Sequence, residues 1–562
     1  MTDRKILQGI GVSVGAVSGP VAFVTPPVGV DSNESASTDA EADGQRVRDA
    51  LDAVAAGLTE RAANTSGDSK QILEATAMLA KDRGLIKGID KQLAKGKGVT
   101  TAVHDAVEVY AQKLRKIGGY MAERVTDLYD VRDRATARLR GLAEPGVPDL
   151  NEPSILVAHD LAPAETATLD REKVLGIVTE AGGATSHTAI LAAQLGIPAA
   201  VKVTGITEAL IDATPVALDG SLGRVIIAPT EADIAELKVR AERREKALSG
   251  SAGPGKTKDG HAVKLLANIG TAADAASASQ LDIEGSGLFR TEFLFLDREH
   301  APSVEEQTQT YTDVLKSFGD RRVVVRTLDA GADKPLAFAD LGSEENPALG
   351  RRGIRLTQAR EQLMDDQLAA LAAARDAVPG SDLWVMAPMV GTVEEVEWFV
   401  DKCRAAGLPK AGIMVETPAA AIRSEQLMAR ADFASIGTND LSQYTMAADR
   451  MQGELAPLLS PWQPAVLAMI EQTCRGGNIN DKHIGVCGEA GGDPLTALVL
   501  VGLGVSSLSM APSKVPAVRA ALALHSLEDC QRIAQQALAA DTVDAARAAA
   551  LELADPAVAD LL

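Results

Sequence analysis

The stretch GIMVE, at residues 412–416, is a short apolar run that ends in a carboxylate, and the helix-like sequence TPAAAI follows it. An apolar run of this length, bounded by polar residues, is typical of a buried strand in an α/β fold. Seven further runs of this kind are VKLLAN (263–268), SGLFR (286–290), VVVR (323–326), LWVMAP (383–388), FASIG (433–437), IGVC (484–487) and SSLSM (506–510). Eight strands, most of them followed by a helical stretch, predict a TIM (β/α)8 barrel.

The chain before this barrel has a different pattern. The opening stretch GIGVSVGAVSGPVAFV, residues 9–24, predicts packed strands, and apolar residues then recur at helical spacing to about Leu142. Short strand-like runs return from Pro145 onward. Because the first strands need a sheet to join, we expect both ends of this region to form one α/β domain, with the helical region inserted between them.

A chain of 562 residues has room for several domains, and the predicted fold class is multidomain α/β with a C-terminal barrel. The expected boundaries are residues 1–30 and 145–229 for the α/β domain, 31–144 for the inserted helical subdomain, 230–256 for a helical linker and 257–562 for the barrel.

Composition excludes several classes of function. A formal net charge of -21 argues against a nucleic-acid ligand, because phosphates would repel such a surface. The four cysteines are too scattered for a disulfide framework, which favours a reducing cytoplasm. The N-terminus lacks a signal-peptide pattern, and the uncharged residues 495–511 are too short to span a membrane. We interpret residues 495–511 as a buried helix, turn and strand.

The stretch GSAGPGKT, residues 250–257, satisfies the phosphate-loop pattern G-x-x-x-x-G-K-T. A working phosphate loop leaves a buried strand and enters a helix, so that backbone amides face the phosphates. Here a charged helical pattern precedes the loop and the strand-like HAVKLLANI follows it. The context therefore argues against a nucleotide-binding loop.

Polar residues lie at the ends of the predicted barrel strands. They are Arg290 after the second strand, Arg326 after the third, Glu416 after the fifth, Asn439 and Asp440 after the sixth, and Cys487 after the seventh. In a TIM barrel, the carboxyl ends of the strands carry the chemistry. These residues therefore predict one active site.

The residue types in this set indicate the chemistry. Two carboxylates without accompanying histidine or cysteine ligands suit Mg²⁺, which keeps open positions for substrate oxygens. Arginines facing such an ion imply a small polyanion, since their planar forks bind carboxylate or phosphate. A thiol at a strand end is suited to giving a proton to an enolate carbon, although an inert buried cysteine is the alternative. Together they suggest a phosphorylated or enolisable acid as substrate.

Seven long motifs then identify a family. The motifs are GGATSHTAI, GLFRTEFLFLDR, VVVRTLDAGADK, ENPALGRRGIR, IMVETPAAA, SIGTNDLSQYTMAADR and VCGEAGGD. In this order they closely resemble the Enzyme I family of the bacterial phosphotransferase system, which transfers phosphate from phosphoenolpyruvate to a carrier protein. The resemblance covers almost the whole chain.

The resemblance implies that His187 of GGATSHTAI is phosphorylated on Nε2, and that Thr166 hydrogen-bonds and orients its imidazole. The physical setting agrees, because the amides and dipole of a helix N-terminus stabilise an added phosphate. Gly182 and Gly183 allow close backbone approach, and Thr185 or Ser186 is suited to capping the helix.

The same resemblance assigns roles in the barrel. It implies that phosphoenolpyruvate is bound by Arg290, Arg326, Asn439, Asp440 and Arg450, with Arg352 and Lys334 as further phosphate contacts. Glu416 and Asp440 match the magnesium ligands, and Cys487 matches the residue that protonates the enolate carbon of departing pyruvate.

Partners and motion also follow from the resemblance. Because histidine and barrel belong to separate domains, His187 is expected to swing into the barrel to take phosphate and out again to deliver it. The implied acceptor is the phosphocarrier HPr, docking near residues 70–90 of the helical subdomain, and the family dimerises through its barrel.

One position departs from the family. Where relatives commonly carry an arginine six residues after the histidine, this chain has Ala193, followed by Gln194. If that arginine steadies the phosphorylated ring, another cation must substitute here, or the phosphohistidine is less stable.

The sequence has three alternative interpretations. A pyruvate phosphate dikinase or phosphoenolpyruvate synthase shares the histidine domain and barrel but needs a large nucleotide-binding domain ahead of the histidine. A noncatalytic phosphoenolpyruvate sensor would not need His187, Glu416, Asp440 and Cys487 together. A nucleotide switch at residues 250–257 would have to bind ATP.

Overall fold

The computed structural model describes the chain from residue 4 to residue 562, apart from several short segments. The segments outside this description are residues 32, 64–67, 118, 149, 151, 162–168, 170–171, 183–187, 190–191, 193–194, 212–213, 297, 332–335, 340, 343 and 451. The chain divides into two compact units, Met1–Glu242 and Arg243–Leu562.

An eight-stranded mixed sheet forms the centre of the first unit. Its strands are β1 (Lys5–Gln8), β2 (Ile10–Ser13), β3 (Ala16–Phe23), β4 (Ser154–Ala158), β5 (Val174–Thr179), β6 (Ala199–Val201), β7 (Pro215–Asp219) and β8 (Arg224–Ile227). They are ordered β1-β8-β7-β3-β4-β5-β6-β2, and β3 to β6 run parallel. Strands from both sides of the helical region therefore share one sheet.

The glycines of the opening stretch allow one close backbone approach. A Cβ atom at Gly11 would lie 2.3 Å from the carbonyl oxygen of Ser221, in the turn between β7 and β8. A Cβ atom at Gly220, in the same turn, would lie 2.1 Å from the carbonyl oxygen of Ser13. Only glycine leaves room for the backbones to pass at this distance.

Helices fill the sequence between β3 and β4. They are α1 (Ala40–Ala63), α2 (Asp68–Ala80), α3 (Arg83–Leu93), α4 (Val99–Ile117) and α5 (Gly119–Leu139). Leu51, Val54 and Leu58 of α1 are buried at the spacing that predicted this helix, and they share a core with Leu85 and Leu128. The helical region therefore has an apolar core of its own. Two later helices are α6 (Ile206–Ala209) and α7 (Glu231–Ser249), and the division between the units falls within α7.

The second unit is a closed barrel of parallel strands. The strands are β9 (Lys264–Ile269), β10 (Gly285–Arg290), β11 (Arg322–Arg326), β12 (Asp382–Ala387), β13 (Ala411–Val415), β14 (Phe433–Ile436), β15 (His483–Val486) and β16 (Ser507–Met510). The barrel closes where β16 pairs with β9. The predicted fold class is confirmed, and each predicted strand agrees with the structure to within one residue at either end.

Helices connect and cover these strands. They are α8 (Ala272–Ser279), α9 (Val304–Phe318), α10 (Ile354–Ala359), α11 (Glu361–Ala377), α12 (Val393–Ala405), α13 (Pro418–Ile422), α14 (Ser424–Met428), α15 (Thr438–Met446), α16 (Pro464–Ile479), α17 (Pro494–Gly502), α18 (Val515–Leu524), α19 (Leu527–Leu538), α20 (Val543–Leu553) and α21 (Val558–Leu561). Short 3₁₀ helices lie at Thr291–Leu294, Ala337–Ala339, Pro347–Leu349, Gly453–Leu459, Glu489–Gly492 and Pro512–Lys514.

The structure also decides two sequence interpretations. Residues 495–511 form most of α17, a turn and β16, as predicted. Among the described residues, no helix has the length and apolarity to cross a membrane.

The stretch 250–257 follows helix α7, and Lys256 pairs in an isolated antiparallel bridge with Ala262. This stretch therefore lacks the strand-to-helix context of a phosphate loop.

Candidate active site at the carboxyl end of the barrel

The barrel places the predicted polar residues where its strands end. Arg290 and Arg326 are the last residues of the neighbouring strands β10 and β11, where they are paired in register. Glu416 directly follows β13, and Cys487 directly follows β15. Asn439 and Asp440 lie in the first turn of α15, which follows β14. These positions converge because all eight strands point the same way around the barrel.

Arg326 is buried among carboxylates. Its Nη2 atom lies 2.9 Å from Oε2 of Glu292, and its Nη1 atom lies 3.1 Å from Oδ2 of Asp329. Its Nη1 atom also lies 4.0 Å from Oε1 of Glu416. Burial disfavours the charged guanidinium, but these negative charges outweigh burial and hold the pKa of Arg326 above its ordinary value. Arg326 is therefore a permanent cation within this group of carboxylates.

Arg352 joins two of the carboxylates. Its Nε and Nη2 atoms donate to the two oxygens of Asp329, at 3.2 and 3.1 Å. Its Nη1 and Nη2 atoms donate to the two oxygens of Asp440, at 2.7 and 3.0 Å. Burial opposes the charge on Arg352, but the two carboxylates outweigh burial and raise its pKa above the usual range.

Glu416 is a fully enclosed carboxylate. Its Oε2 atom accepts a hydrogen bond of 2.8 Å from the backbone N–H of Met389, whose φ of 61° is in the left-handed region. Burial, followed by the negative charges of Asp440 and Asp329, raises the pKa of Glu416 to about 8. The pocket around Glu416 therefore favours an additional positive charge.

Cys487 lies beside an apolar layer inside the barrel. It is buried and packs in a cluster with Leu288, Met386, Met414 and Phe433. Burial raises the pKa of its thiol to about 11, although the hydroxyl of Ser435 partly opposes the shift. The group is thus a protonated thiol at neutral pH, as a proton donor to carbon requires.

The charges and donor types fit a divalent cation. Four buried carboxylates, those of Glu292, Asp329, Glu416 and Asp440, face the two buried guanidinium groups of Arg326 and Arg352. All the donors are hard oxygens, which Mg²⁺ prefers. Among the described residues, no group of three or more histidine, cysteine or acidic side chains is placed so that it could hold a metal ion by itself. Glu416 and Asp440 would therefore need substrate and water oxygens to complete the coordination.

Comparison with known proteins identifies the family. The model of the PEP-binding domain of PEP-utilising enzymes matches residues 244–527, the mobile-domain model matches residues 150–223, and the N-terminal model matches residues 8–124. A phosphoenolpyruvate-protein phosphotransferase of Streptomyces coelicolor is 48% identical over 551 residues, which cover 97% of this chain and 98% of that protein. The chain belongs to the phosphoenolpyruvate-protein phosphotransferase family.

Two further relatives show how widely the phosphotransferase sequence recurs. A phosphoenolpyruvate-protein phosphotransferase of Haloferax volcanii is 40% identical over 502 residues, covering 86% of this chain and 87% of that protein. A multiphosphoryl transfer protein of Xanthomonas campestris is 43% identical over 492 residues, covering 85% of this chain and 58% of that protein. The resemblance inferred from the seven motifs, and the prediction that the chain is an enzyme of this family, are confirmed.

Several predicted positions lie outside the described residues. They are Thr166, Gly183, Thr185, Ser186, His187, Ala193, Gln194 and Lys334. Gly182 is described, and its φ of 93° is a backbone conformation that glycine adopts readily. In the barrel, Arg450 is half-buried, and its Nη1 atom lies 3.9 Å from Oδ2 of Asp440.

The sequence reasoning missed two acidic residues of this candidate site. Glu292 and Asp329 hold Arg326, and both stand in quoted motifs, two residues after Arg290 and three after Arg326. A carboxylate shortly after a strand-end arginine was therefore an available signal. The Oε1 atom of Glu292 also accepts from the backbone N–H of Asp329, at 3.1 Å, which joins the two loops.

A buried polar network supports these loops from behind. The side chain of Gln367 in α11 accepts from the backbone N–H of Leu328 at 2.9 Å, and donates to the hydroxyls of Thr291 and Tyr311 at 3.2 and 3.0 Å. The hydroxyl of Thr291 in turn donates to the carbonyl of Arg326 at 2.9 Å. No motif marks Gln367, since it lies on a helix remote in sequence from the residues it binds.

Proposed function

We propose that this chain transfers the phosphoryl group of phosphoenolpyruvate to its own His187 and then to a histidine of the small phosphocarrier HPr. This reaction would be the first step of sugar uptake by the phosphotransferase system. The observation that carries the proposal is the buried cluster at the carboxyl end of the barrel, in which four carboxylates surround Arg326 and Arg352. The thiol of Cys487 lies at the same end of the barrel, directly after β15.

The arginines of the site would bind and orient the substrate. Phosphoenolpyruvate carries a carboxylate and a phosphate, and planar guanidinium groups bind both bidentately. Arg290, Arg326 and Arg450 would take these anionic groups, with Asn439 beside them and Arg352 and Lys334 as additional phosphate contacts. Because Arg326 is fixed by Glu292 and Asp329, it can position the substrate without reorganising during the reaction.

Magnesium would be held by Glu416 and Asp440, with substrate oxygens completing its coordination. When bound, this ion would supply charge neutralisation for the phosphoryl group. The surplus of negative charge around Glu416 supports this assignment. The protein's own contribution is to position the anion against the histidine and to exclude water.

The reaction then balances without a nucleotide. The P–O bond of phosphoenolpyruvate breaks as Nε2 of His187 takes the phosphoryl group, and the electron pair that leaves with oxygen gives the enolate of pyruvate. The enolate carbon takes the thiol proton of Cys487, and the thiolate recovers a proton from solvent. In the reverse direction, the thiolate would act as the base.

Transfer would require His187 to move between two partners. We assign residues 1–30 and 145–229 to the phosphohistidine domain, 31–144 to an inserted HPr-binding subdomain, 230–256 to a linker and 257–562 to the barrel. His187 would swing to the barrel to take phosphate and away to deliver it to HPr. An engineered crosslink that locks the two domains should abolish turnover, whereas undiminished turnover would refute the motion.

The remaining assignments concern assembly and location. The HPr docking surface would lie near residues 70–90, and the barrel would carry a homodimer interface. A reducing cytoplasm would be the location of the enzyme, in keeping with four cysteines that are all free and buried.

The decisive experiment uses phosphoenolpyruvate labelled in its phosphate, with magnesium and without nucleotide. Acid-labile label should appear on the wild-type chain and pass to added HPr, and His187→Ala should take up none. His159→Ala is the matched control, since this histidine is 76% exposed and lies outside the proposed chemistry. A requirement for ATP would favour the dikinase alternative, and label retained by His187→Ala would refute the assigned histidine.

A further inference from the structure

We propose that Arg352 acts as an internal counter-ion that occupies Asp440 in the absence of ligands and competes with the divalent cation for that carboxylate. Release from Asp440 would then make the guanidinium available to the substrate phosphate. The inference rests on the proposed function, and it predicts that binding of the cation and of the phosphorylated acid reinforce each other.

The first support is that Arg352 takes both oxygens of Asp440. Its Nη1 atom lies 2.7 Å from Oδ1, and its Nη2 atom lies 3.0 Å from Oδ2. Asp440 is therefore engaged through both oxygens by one planar cation. A metal ion bound to the same carboxylate would lie within a few ångströms of that guanidinium, where two positive charges repel strongly in a buried site.

The second support is that Arg352 has a second anchor. Its Nε and Nη2 atoms donate to Asp329, and Nη1 also lies 3.4 Å from the hydroxyl of Tyr444. The guanidinium can therefore leave Asp440 while Asp329 still holds it. The N–H groups released in this way are the ones that an anion in the site would use.

The third support is that the backbone around Arg352 is tightly packed. A Cβ atom at Gly331 would lie 2.8 Å from the carbonyl of Arg351 and 3.1 Å from Cα of Arg352. The backbone N–H of Gly353 donates to the carbonyl of Ala330 at 3.0 Å. With the backbone fixed between these segments, the exchange of partners would be a side-chain movement.

The test is calorimetric titration of the full chain with Mn²⁺ in the absence of substrate. Arg352→Gln should bind Mn²⁺ about tenfold more tightly than the wild type, because the competing cation is gone. Arg352→Lys keeps the charge, but a single ammonium group cannot contact both oxygens of Asp329 and both oxygens of Asp440. The affinity of this variant for Mn²⁺ should therefore be at least about threefold higher than that of the wild type.

Arg450→Gln is the matched control for charge alone. This arginine lies 3.9 Å from Asp440 but does not occupy both of its oxygens, so its removal should change Mn²⁺ affinity less than about threefold. If Arg352→Gln and Arg450→Gln gained equally in Mn²⁺ affinity while Arg352→Lys bound Mn²⁺ as the wild type does, the inference would be overturned. The loss of any nearby positive charge would then explain the gain. If Arg352→Gln fails to fold, Arg352→Lys against the wild type decides the question.

Coupling is measured with 2-phosphoglycolate, a phosphorylated acid that cannot donate its phosphate as an enol. In the wild type it should tighten Mn²⁺ binding about tenfold or more. In Arg352→Gln the gain should be at least about threefold smaller, because only the direct contact of the anion's oxygens with the ion remains. A gain in Arg352→Gln equal to that of the wild type would overturn the inference while leaving the proposed function intact. Absence of Mn²⁺ binding in the wild type and every variant would overturn the magnesium assignment and the counter-ion role together.

Discussion

Gln367 accepts a hydrogen bond of 2.9 Å from the backbone N–H of Leu328, and both groups are completely buried. Leu328 stands between Arg326 and Asp329, so this bond fixes the loop that carries one cation and one carboxylate of the site. A buried amide that loses its partner costs about 1–3 kcal/mol, which gives the contact a measurable effect.

Replacing Gln367 should therefore weaken substrate binding, although Gln367 itself lies behind the loop and would not contact the substrate. In Gln367→Leu we expect KM for phosphoenolpyruvate to rise about tenfold, with a smaller fall in kcat, because Arg326 and Asp329 lose their support. Steady-state kinetics on Gln367→Leu and the wild type measures these changes. Gln309→Leu, on the exposed face of α9, is the control. A parallel loss of kcat and unchanged KM would contradict a positioning role.

The thiol of Cys487 should be required for proton transfer rather than for binding. Cys487→Ala should lower pyruvate formation about 100-fold or more while phosphoenolpyruvate still binds, because the proton donor is gone. Binding is measured by calorimetry, and proton transfer by the rate of pyruvate formation. Cys474→Ala, which removes another buried thiol, should behave as the wild type.

The pH dependence of this step has a defined sign. Since the pKa of Cys487 is raised to about 11, the donor form persists through neutral and mildly alkaline pH and is lost only as pH approaches that value. The forward rate should show no loss attributable to the thiol between about pH 7 and 9. A thiol-dependent fall near pH 8 would show that the site does not protect the protonated form.

Replacement of Gly488 is expected to disturb the candidate site. A Cβ atom there would lie 2.0 Å from Oγ1 and 2.6 Å from the backbone nitrogen of Thr438, which immediately precedes Asn439 and Asp440. Gly488→Ala should therefore destabilise the chain by about 1–3 kcal/mol and lower kcat/KM by at least about tenfold. Gly250→Ala is the control, since nothing lies within 4 Å of its Cβ position. Thermal unfolding and kinetics on the two variants measure the contrast.

His483, at the start of β15, should make the barrel sensitive to acid. Its ring nitrogens lie 2.9 Å from the hydroxyls of Ser506 and Ser507, and burial, reinforced by Arg322 and Lys264, lowers its pKa to about 4. Between that value and the ordinary value of 6.5, the unfolded chain binds a proton that the folded chain does not. The contribution of His483 to the free energy of unfolding is therefore fully present above pH 6.5, and it is lost as pH falls from 6.5 to about 4.

The lowered pKa of His483 corresponds to a loss of about 3 kcal/mol in the free energy of unfolding by about pH 4. Denaturant unfolding of the wild type and His483→Gln, followed from pH 7 to pH 4, should show a shallower decline in the variant. His300→Gln, at an exposed position, should keep the steep wild-type decline. Identical slopes for all three proteins would show that His483 does not carry the effect.

The sequence by itself determined the barrel and most of its candidate site residues. Each strand is a local run of apolar residues, and a parallel barrel leaves one place for the residues that follow such runs. The sequence alone therefore assigns Arg290, Arg326, Glu416 and Cys487 to one face of the barrel. The motifs added His187 and Thr166, whose roles remain predictions.

Only the tertiary structure decided how the charges pair. Arg352 follows no strand, yet it joins Asp329 to Asp440, a residue 88 positions further along the chain. Gln367 reaches Leu328 and Thr291 only because α11 packs behind the strand ends. Local periodicity carries no information about such pairs, because the folded arrangement of loops and helices sets which side chains meet and how deeply each charge is buried.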